Sequence, residues 1–188
     1  MAKHFTLPYE GGLLDRNLPA GILHTYEKIW TNVYHESRLA SYRIADIIIE
    51  AVIAAKDGPF RLGLSTGKTP VSLYNELSRR FEKGLVSFKN VEVFSIDEYY
   101  PSSKDEAQSR NHRLHEALLD RVDIPKENVH IPDGTVPQAE LSEYFKRFDQ
   151  LAHGLDMLVI GVGEQGQVGF NEAGSSETSR TRAVRLSY

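Results

Sequence analysis

The chain of 188 residues is 40% hydrophobic and 26% charged, carries a formal net charge of −4 and contains no cysteine. That is about one domain's worth of chain, with apolar content for a single core, and it excludes disulfide stapling, zinc fingers and thiol catalysis. The slightly acidic balance argues against a nucleic-acid partner held by counterion release, and no apolar run approaches the roughly 18–20 residues of a membrane span. The start, residues 1–7, lacks the apolar core of a secretory signal, so a cytoplasmic protein is expected.

Residues 1 to about 26 hold Gly11, Gly12, Pro19 and Gly21 without sustained periodicity. They read as an arm packed on the domain or as a disordered leader. A short extended segment is expected over residues 29–34 and a helix over 37–56, where Ala40, Ile44, Ile47, Ile48, Ala51, Val52 and Ala55 recur at helical spacing before the Asp57-Gly58 stop. A pattern then repeats. Residues 61–65 read as a strand, followed by a loop and a helix opened by Pro70, with Leu73, Tyr74, Leu77 and Phe81 inward. Residues 91–96 form the next strand, 109–121 a helix, and 128–131 a short strand. A helix over 137–152 follows, with Leu141, Tyr144, Phe145, Phe148 and Leu151 inward and Gly154 as its cap. Residues 156–160 are a near-continuous apolar strand of the kind buried on both faces of a parallel sheet. Residues 182–188 read as a strand that begins and stops with the chain, as expected of a domain cut short at its C-terminal end.

Strands alternating with helices predict a three-layer α/β/α domain over residues 1–188 with a mostly parallel, Rossmann-like sheet. Ligands then bind at the carboxyl ends of the strands, and three loops there are unusual. Ser65, Thr66, Gly67, Lys68 and Thr69 enter a helix at Pro70. Small hydroxyl residues and a glycine at a helix start suit a phosphate, the alternative being an ordinary capped helix. Asp97 and Glu98 directly follow a strand, where paired carboxylates serve as a general base or a metal site, or simply form an exposed acidic turn. Residues 161–176 carry five glycines at 161, 163, 166, 169 and 174, interleaved with polar side chains, a backbone able to approach a ligand closely.

Two sharper motifs fit less well. Residues 63–69 read G-x-x-x-G-K-T, one residue short of the nucleotide-binding phosphate loop. Gly161, Gly163 and Gly166 satisfy G-x-G-x-x-G, but no helical apolar stripe follows them.

Taken in order, the three loops resemble the glucosamine-6-phosphate deaminase (isomerase) family. The family's T-G-G-T-P loop corresponds to residues 66–70, its M-D-E-Y element to residues 96–99, and its G-x-G-x-D-G-H-x-x-F-N-E-P-x-S-S loop to residues 161–176. Residues 179–182 match its S-R-T-R, and residues 122–128 a linking segment. The likeness covers roughly residues 28–188, and Phe170-Asn171-Glu172 follows the deaminases rather than the sister 6-phosphogluconolactonases. The resemblance implies a sugar-phosphate site, without metal or organic cofactor, in a protein of a family that often forms homo-oligomers. Thr66, Gly67 and Thr69, with Ser175 and Arg182, would hold the phosphate, and Ser65, Lys68, Glu98 and Gly163 would line the same site. Asp97 would move a proton between C2 and C1 of the opened sugar, through an enolamine, to a ketose phosphate and ammonia.

The departures are chemical. Where the family has D-G-H this chain has Gln165-Gly166-Gln167. The family's histidine opens the pyranose ring within a group whose other carboxylate corresponds to Glu172. Gln167 cannot take or give a proton near neutral pH. Lys68 replaces a glycine, Ala173 a proline, Arg113 an aromatic, and Val184 a phosphate-binding lysine, and family members continue past residue 188. Three functions follow: an isomerase-deaminase, a sugar-phosphate-binding or regulatory module without ring-opening power, and an enzyme for a substrate already open-chain.

Overall fold

The computed structural model describes residues 32–55 and 58–187. The expectations for residues 1–26 and 29–31, and for Asp57 in the helix stop, lie outside these. The chain divides into compact units at residues 1–40 and 41–188. Of the first, the described residues form a short turn with an exposed Arg38–Glu36 ion pair and the opening of α1.

The helix α1 (Ser37–Ala54) presents Ala45, Ile48, Ile49 and Val52 inward, one stripe at helical spacing. Its last carbonyls are taken by the side-chain amide of Asn90, which donates to Val52 and Ala55 at 3.3 and 3.0 Å. Then come β1 (Phe60–Leu64), α2 (Val71–Glu82), β2 (Val91–Ser95), α3 (Arg110–Ala117), β3 (Val129–His130), α4 (Leu141–Leu151) and β4 (Met157–Val159). The helix expected over 109–121 breaks at Leu118, whose φ of −143° is not helical, and resumes as one 3₁₀ turn.

All described strand pairs are parallel, in the order β3-β2-β1-β4. The first two crossovers step one way and the third returns past β1. Right-handed crossovers therefore put α2 and α3 on one face and α4 on the other. Strand alternation agrees with this. Phe60, Leu62, Leu64, Val91 and Val93 join the core with α1, α2 and α3. On the opposite face Phe94 stacks on His130 with ring centroids 4.7 Å apart, under the Arg61 guanidinium.

That second face is thinner than the sequence pattern implies. The expectation that residues 156–160 are buried on both faces is corrected: Leu158 and Ile160 are 46% and 43% exposed. An apolar run suits a central strand, but among the described residues β4 pairs with β1 alone and stands at the end of the strand order. Likewise α4 has no fully buried residue and Leu151 is exposed. Residues 182–187 form no strand; Ser187 instead donates to Glu172.

Candidate functional site

The strand order reverses between β1 and β4. In a parallel sheet such a reversal opens a crevice, because the connections on either side turn onto opposite faces. Two of the three unusual loops leave these two strands, and the third leaves β2 beside them.

From β1 the chain enters loop 65–70. Ser65 is buried, Thr66 half-buried, and Gly67, Lys68 and Thr69 are exposed. The Tyr74 phenol donates to the Ser65 carbonyl and fixes where the loop starts. Pro70 stands at the N-cap and no side chain caps α2, so the helix's first amides keep no intrahelical partner. The buried Thr66 hydroxyl also lacks a hydrogen-bond partner, which is uncommon for a buried polar atom. Open amides, a helix dipole and an uncommitted hydroxyl together make an anion-binding arrangement.

From β2 the chain reaches Asp97, 8% exposed. Its Oδ1 is buried without a hydrogen bond and faces Arg110 Nε at 3.7 Å. Burial pushes this carboxyl above the ordinary carboxylate range; the Arg110 charge opposes the rise and the Glu98 charge adds to it. Asp97 in turn helps burial push the Tyr74 phenol upward. Glu98 is used differently. Its two oxygens accept from the amides of Tyr99, Arg110 and Asn111 at 2.7–2.9 Å and from the Ser109 hydroxyl at 2.8 Å. It caps the start of α3, where a carboxylate complements the helix dipole.

Beyond β4 the glycine loop folds on itself through bridges Val162–Val168 and Val168–Asn171. The Gly163 amide donates to the Gln167 carbonyl at 2.8 Å, and the Gln165 amide to Gln167 Oε1 at 3.0 Å. Gly169 takes a φ of +56°, and a Cβ there would stand 3.0 Å from Asp97 Oδ2, so any side chain at this position would be strained and would crowd that carboxylate. Arg182 donates to Asn171 Oδ1 at 2.9 Å and Ser175 Oγ at 3.0 Å. Thr181 anchors the same segment on Asp149 of α4. Glu172 accepts from the Ser187 amide and hydroxyl.

The family described as glucosamine-6-phosphate isomerases/6-phosphogluconolactonase matches residues 36–169, which include the first two loops and most of the third. The chain belongs to this family. It is 40% identical over 144 residues to glucosamine-6-phosphate deaminase 2 of Bacillus subtilis, covering 76% of this chain and 57% of that one. It is 38% identical over 149 residues to a glucosamine-6-phosphate isomerase of Candida albicans, covering 78% and 59%. Thus the chain spans somewhat over half the length of these curated relatives. Among solved structures, a monomeric glucosamine-6-phosphate deaminase superposes with a TM-score of 0.76 at 29% identity, covering 81% of this chain and 63% of that one. A 6-phosphogluconolactonase of Thermotoga maritima shares the fold, with a TM-score of 0.58 at 23% identity, covering 71% and 58%.

Against the family pattern, Asp97 and the glycine loop come together, and Ser175 meets Arg182. Arg110 escaped the sequence reading, and Phe170, singled out there only as part of a motif, receives no role in it. Arg110 Cζ lies 5.0 Å from the ring centroids of both Tyr99 and Phe170. A signal existed, since a cation as the first residue of a helix opposes the dipole and so calls for another use of its charge. A separate open groove, of about 390 Å³, lies between β3 and α4 and shares no residue with the three loops.

Proposed function

We propose that this chain binds a sugar phosphate at the carboxyl ends of β1, β2 and β4 and isomerises an amino-sugar or hexose phosphate, with ammonia release where C2 carries an amine. Thr66, Gly67, Thr69, Ser175 and Arg182 hold the phosphate, with Ser65, Lys68 and Gly163 lining the site and Glu98 fixing α3 against it. Asp97 takes the C2 proton, the C2–H electron pair becomes the C1–C2 double bond, and the carbonyl oxygen at C1 gains a proton. Return of a proton to C1 gives the C2 imine, and water releases ammonia to leave the ketose phosphate. The single observation that carries this reading is Asp97 itself: a buried carboxylate whose Oδ1 accepts no hydrogen bond and whose basicity is raised by burial, next to an anion-binding loop. The reading includes a cytoplasmic protein whose partner is the small-molecule sugar phosphate.

A second reading, a sugar-phosphate-binding or regulatory module, is favoured by one observation. Gln165 and Gln167 stand where the family pattern has an acid/base pair, and Gln167 Oε1 is engaged by the loop's own amide. The two readings part on restoring that pair. Gln165→Asp with Gln167→His raises ammonia release from glucosamine 6-phosphate by about 10²–10⁴-fold, the contribution of a positioned acid/base. Absence of ammonia and ketose phosphate from both proteins, with binding of the sugar phosphate intact by calorimetry, decides for the binding module.

A further inference from the structure

The proposed chemistry leaves one buried charge at the site without a role. The guanidinium of Arg110 is largely buried beside Asp97, and its Nε has no hydrogen-bond partner. It lies against the paired rings of Tyr99 and Phe170, 5.0 Å from each centroid, the centroids being themselves 4.8 Å apart, and its NH2 reaches the Tyr99 hydroxyl at 3.5 Å. Tyr99 belongs to the segment after β2 and Phe170 to the glycine loop, so their ring contact joins the two loops and the guanidinium adds a cation–π contact to each ring. The Arg110 backbone is fixed independently, its amide donating to Glu98 at 2.9 Å. That carboxylate also offsets the cost of a cation at the start of α3.

We propose that Arg110 is a positioning residue: packed against the paired rings of Tyr99 and Phe170, its guanidinium keeps the Asp97 carboxylate ionised in its buried site and helps hold the glycine loop closed over it. The proposal deepens the reading of Asp97 as the base and rests on it. Among the described residues, the groups facing Asp97 are Arg110 from α3, Glu98 from its own loop and Tyr74 from α2, with Gly169 contributing only backbone. Arg110 is thus the cation that opposes the rise caused by burial and the neighbouring Glu98 charge. Without it, the proton of a buried carboxyl is held more tightly.

The test titrates the full chain with ¹³C-carboxyl-labelled aspartate by NMR, assigning Asp97 by its loss in Asp97→Asn, alongside the pH profile of C2-proton exchange from glucosamine 6-phosphate. In Arg110→Gln the Asp97 midpoint rises by about 1–3 pH units, the effect of an opposite charge within ~4–6 Å, and the acid limb of exchange rises with it. Arg110→Lys brings the midpoint back most of the way. Phe170→Leu removes one ring and no charge, and gives a smaller rise in the same direction, so the proposal stays testable if Arg110→Gln does not fold. An Asp97 midpoint unchanged in Arg110→Gln, or in Phe170→Leu where Arg110→Gln does not fold, overturns the proposal. If Asp97→Asn exchanges C2 protons as fast as the parent, the base assignment fails instead, and the carboxylate titration still decides on Arg110.

Discussion

Asp97 combines two demands that pull against each other. A base for a C–H proton gains strength from burial, yet burial of an ionised carboxylate works against the folded state. Because burial raises the Asp97 pKa above that of the unfolded chain, the native state holds its proton more tightly. Stability contributed by this group is present at acid pH and is lost as pH rises from the unfolded carboxylate range through the raised native value. Asp97→Asn removes that loss. The variant is therefore expected to be more stable than the parent at neutral pH, with the gain shrinking as pH falls below the ordinary carboxylate range. Urea denaturation at neutral and acid pH checks this, and a variant equally or less stable at neutral pH speaks against a strained carboxylate. Glu76 has the reverse design. It too is buried, and burial alone would raise it, but hydrogen bonds from Arg79 at 2.6 Å and Arg80 at 2.7 Å bring its pKa below the usual range. Its contribution is present at neutral pH and is lost as pH falls through that lowered value.

At the scale of elements, the core helices and strands were legible because the period of their apolar residues is set by geometry. The alternation of β1 and β2 falls where spacing puts it, and of the expected α1 stripe Ile48, Ala51 and Val52 are buried, whereas Ile44 is exposed and Ala45 and Ile49 are buried in its place. What spacing does not carry is how an element is fastened. Arg61 in β1 points away from the core: it pairs with Glu92 at 2.9 Å, and its guanidinium donates to the carbonyls of Leu151 and His153 at the C-terminal end of α4. In sequence it is one charged residue in an alternating strand, which reads as a solvated side chain. Arg61→Met keeps the stem and removes the donors to those carbonyls, and is expected to cost about 1.5–3 kcal/mol, the worth of hydrogen bonds to a charged group. Denaturant midpoints at constant slope measure it, and no change would mean that α4 is held by its apolar contacts alone. Gly134 escaped the reading for a similar reason. A Cβ there would run into the backbone of Tyr99 and Ser102, so the close approach that shapes the segment after Asp97 depends on a glycine thirty-seven positions away.

For the whole molecule, the sheet order converts loops scattered over more than a hundred residues into one region, with the reversal between β1 and β4 as its centre. The loops could be found in sequence because each couples small or acidic residues to the end of an apolar strand, and because their order resembles one family. The exposure of β4 could not be found that way: Leu158 and Ile160 read as core from composition, whereas among the described residues β4 pairs with β1 alone and both side chains are exposed. Nor could the partition of the two adjacent carboxylates, since Asp97 turns to the glycine loop while Glu98 caps α3. The central claim is that this region moves a proton on a sugar phosphate through Asp97. Its most direct measurement is proton NMR of glucosamine 6-phosphate in D₂O with catalytic amounts of the full chain or of Asp97→Asn. The account predicts loss of the C2 proton signal with the parent and its persistence with the variant. A C2 proton that persists with the parent, or that is lost equally with both, contradicts it.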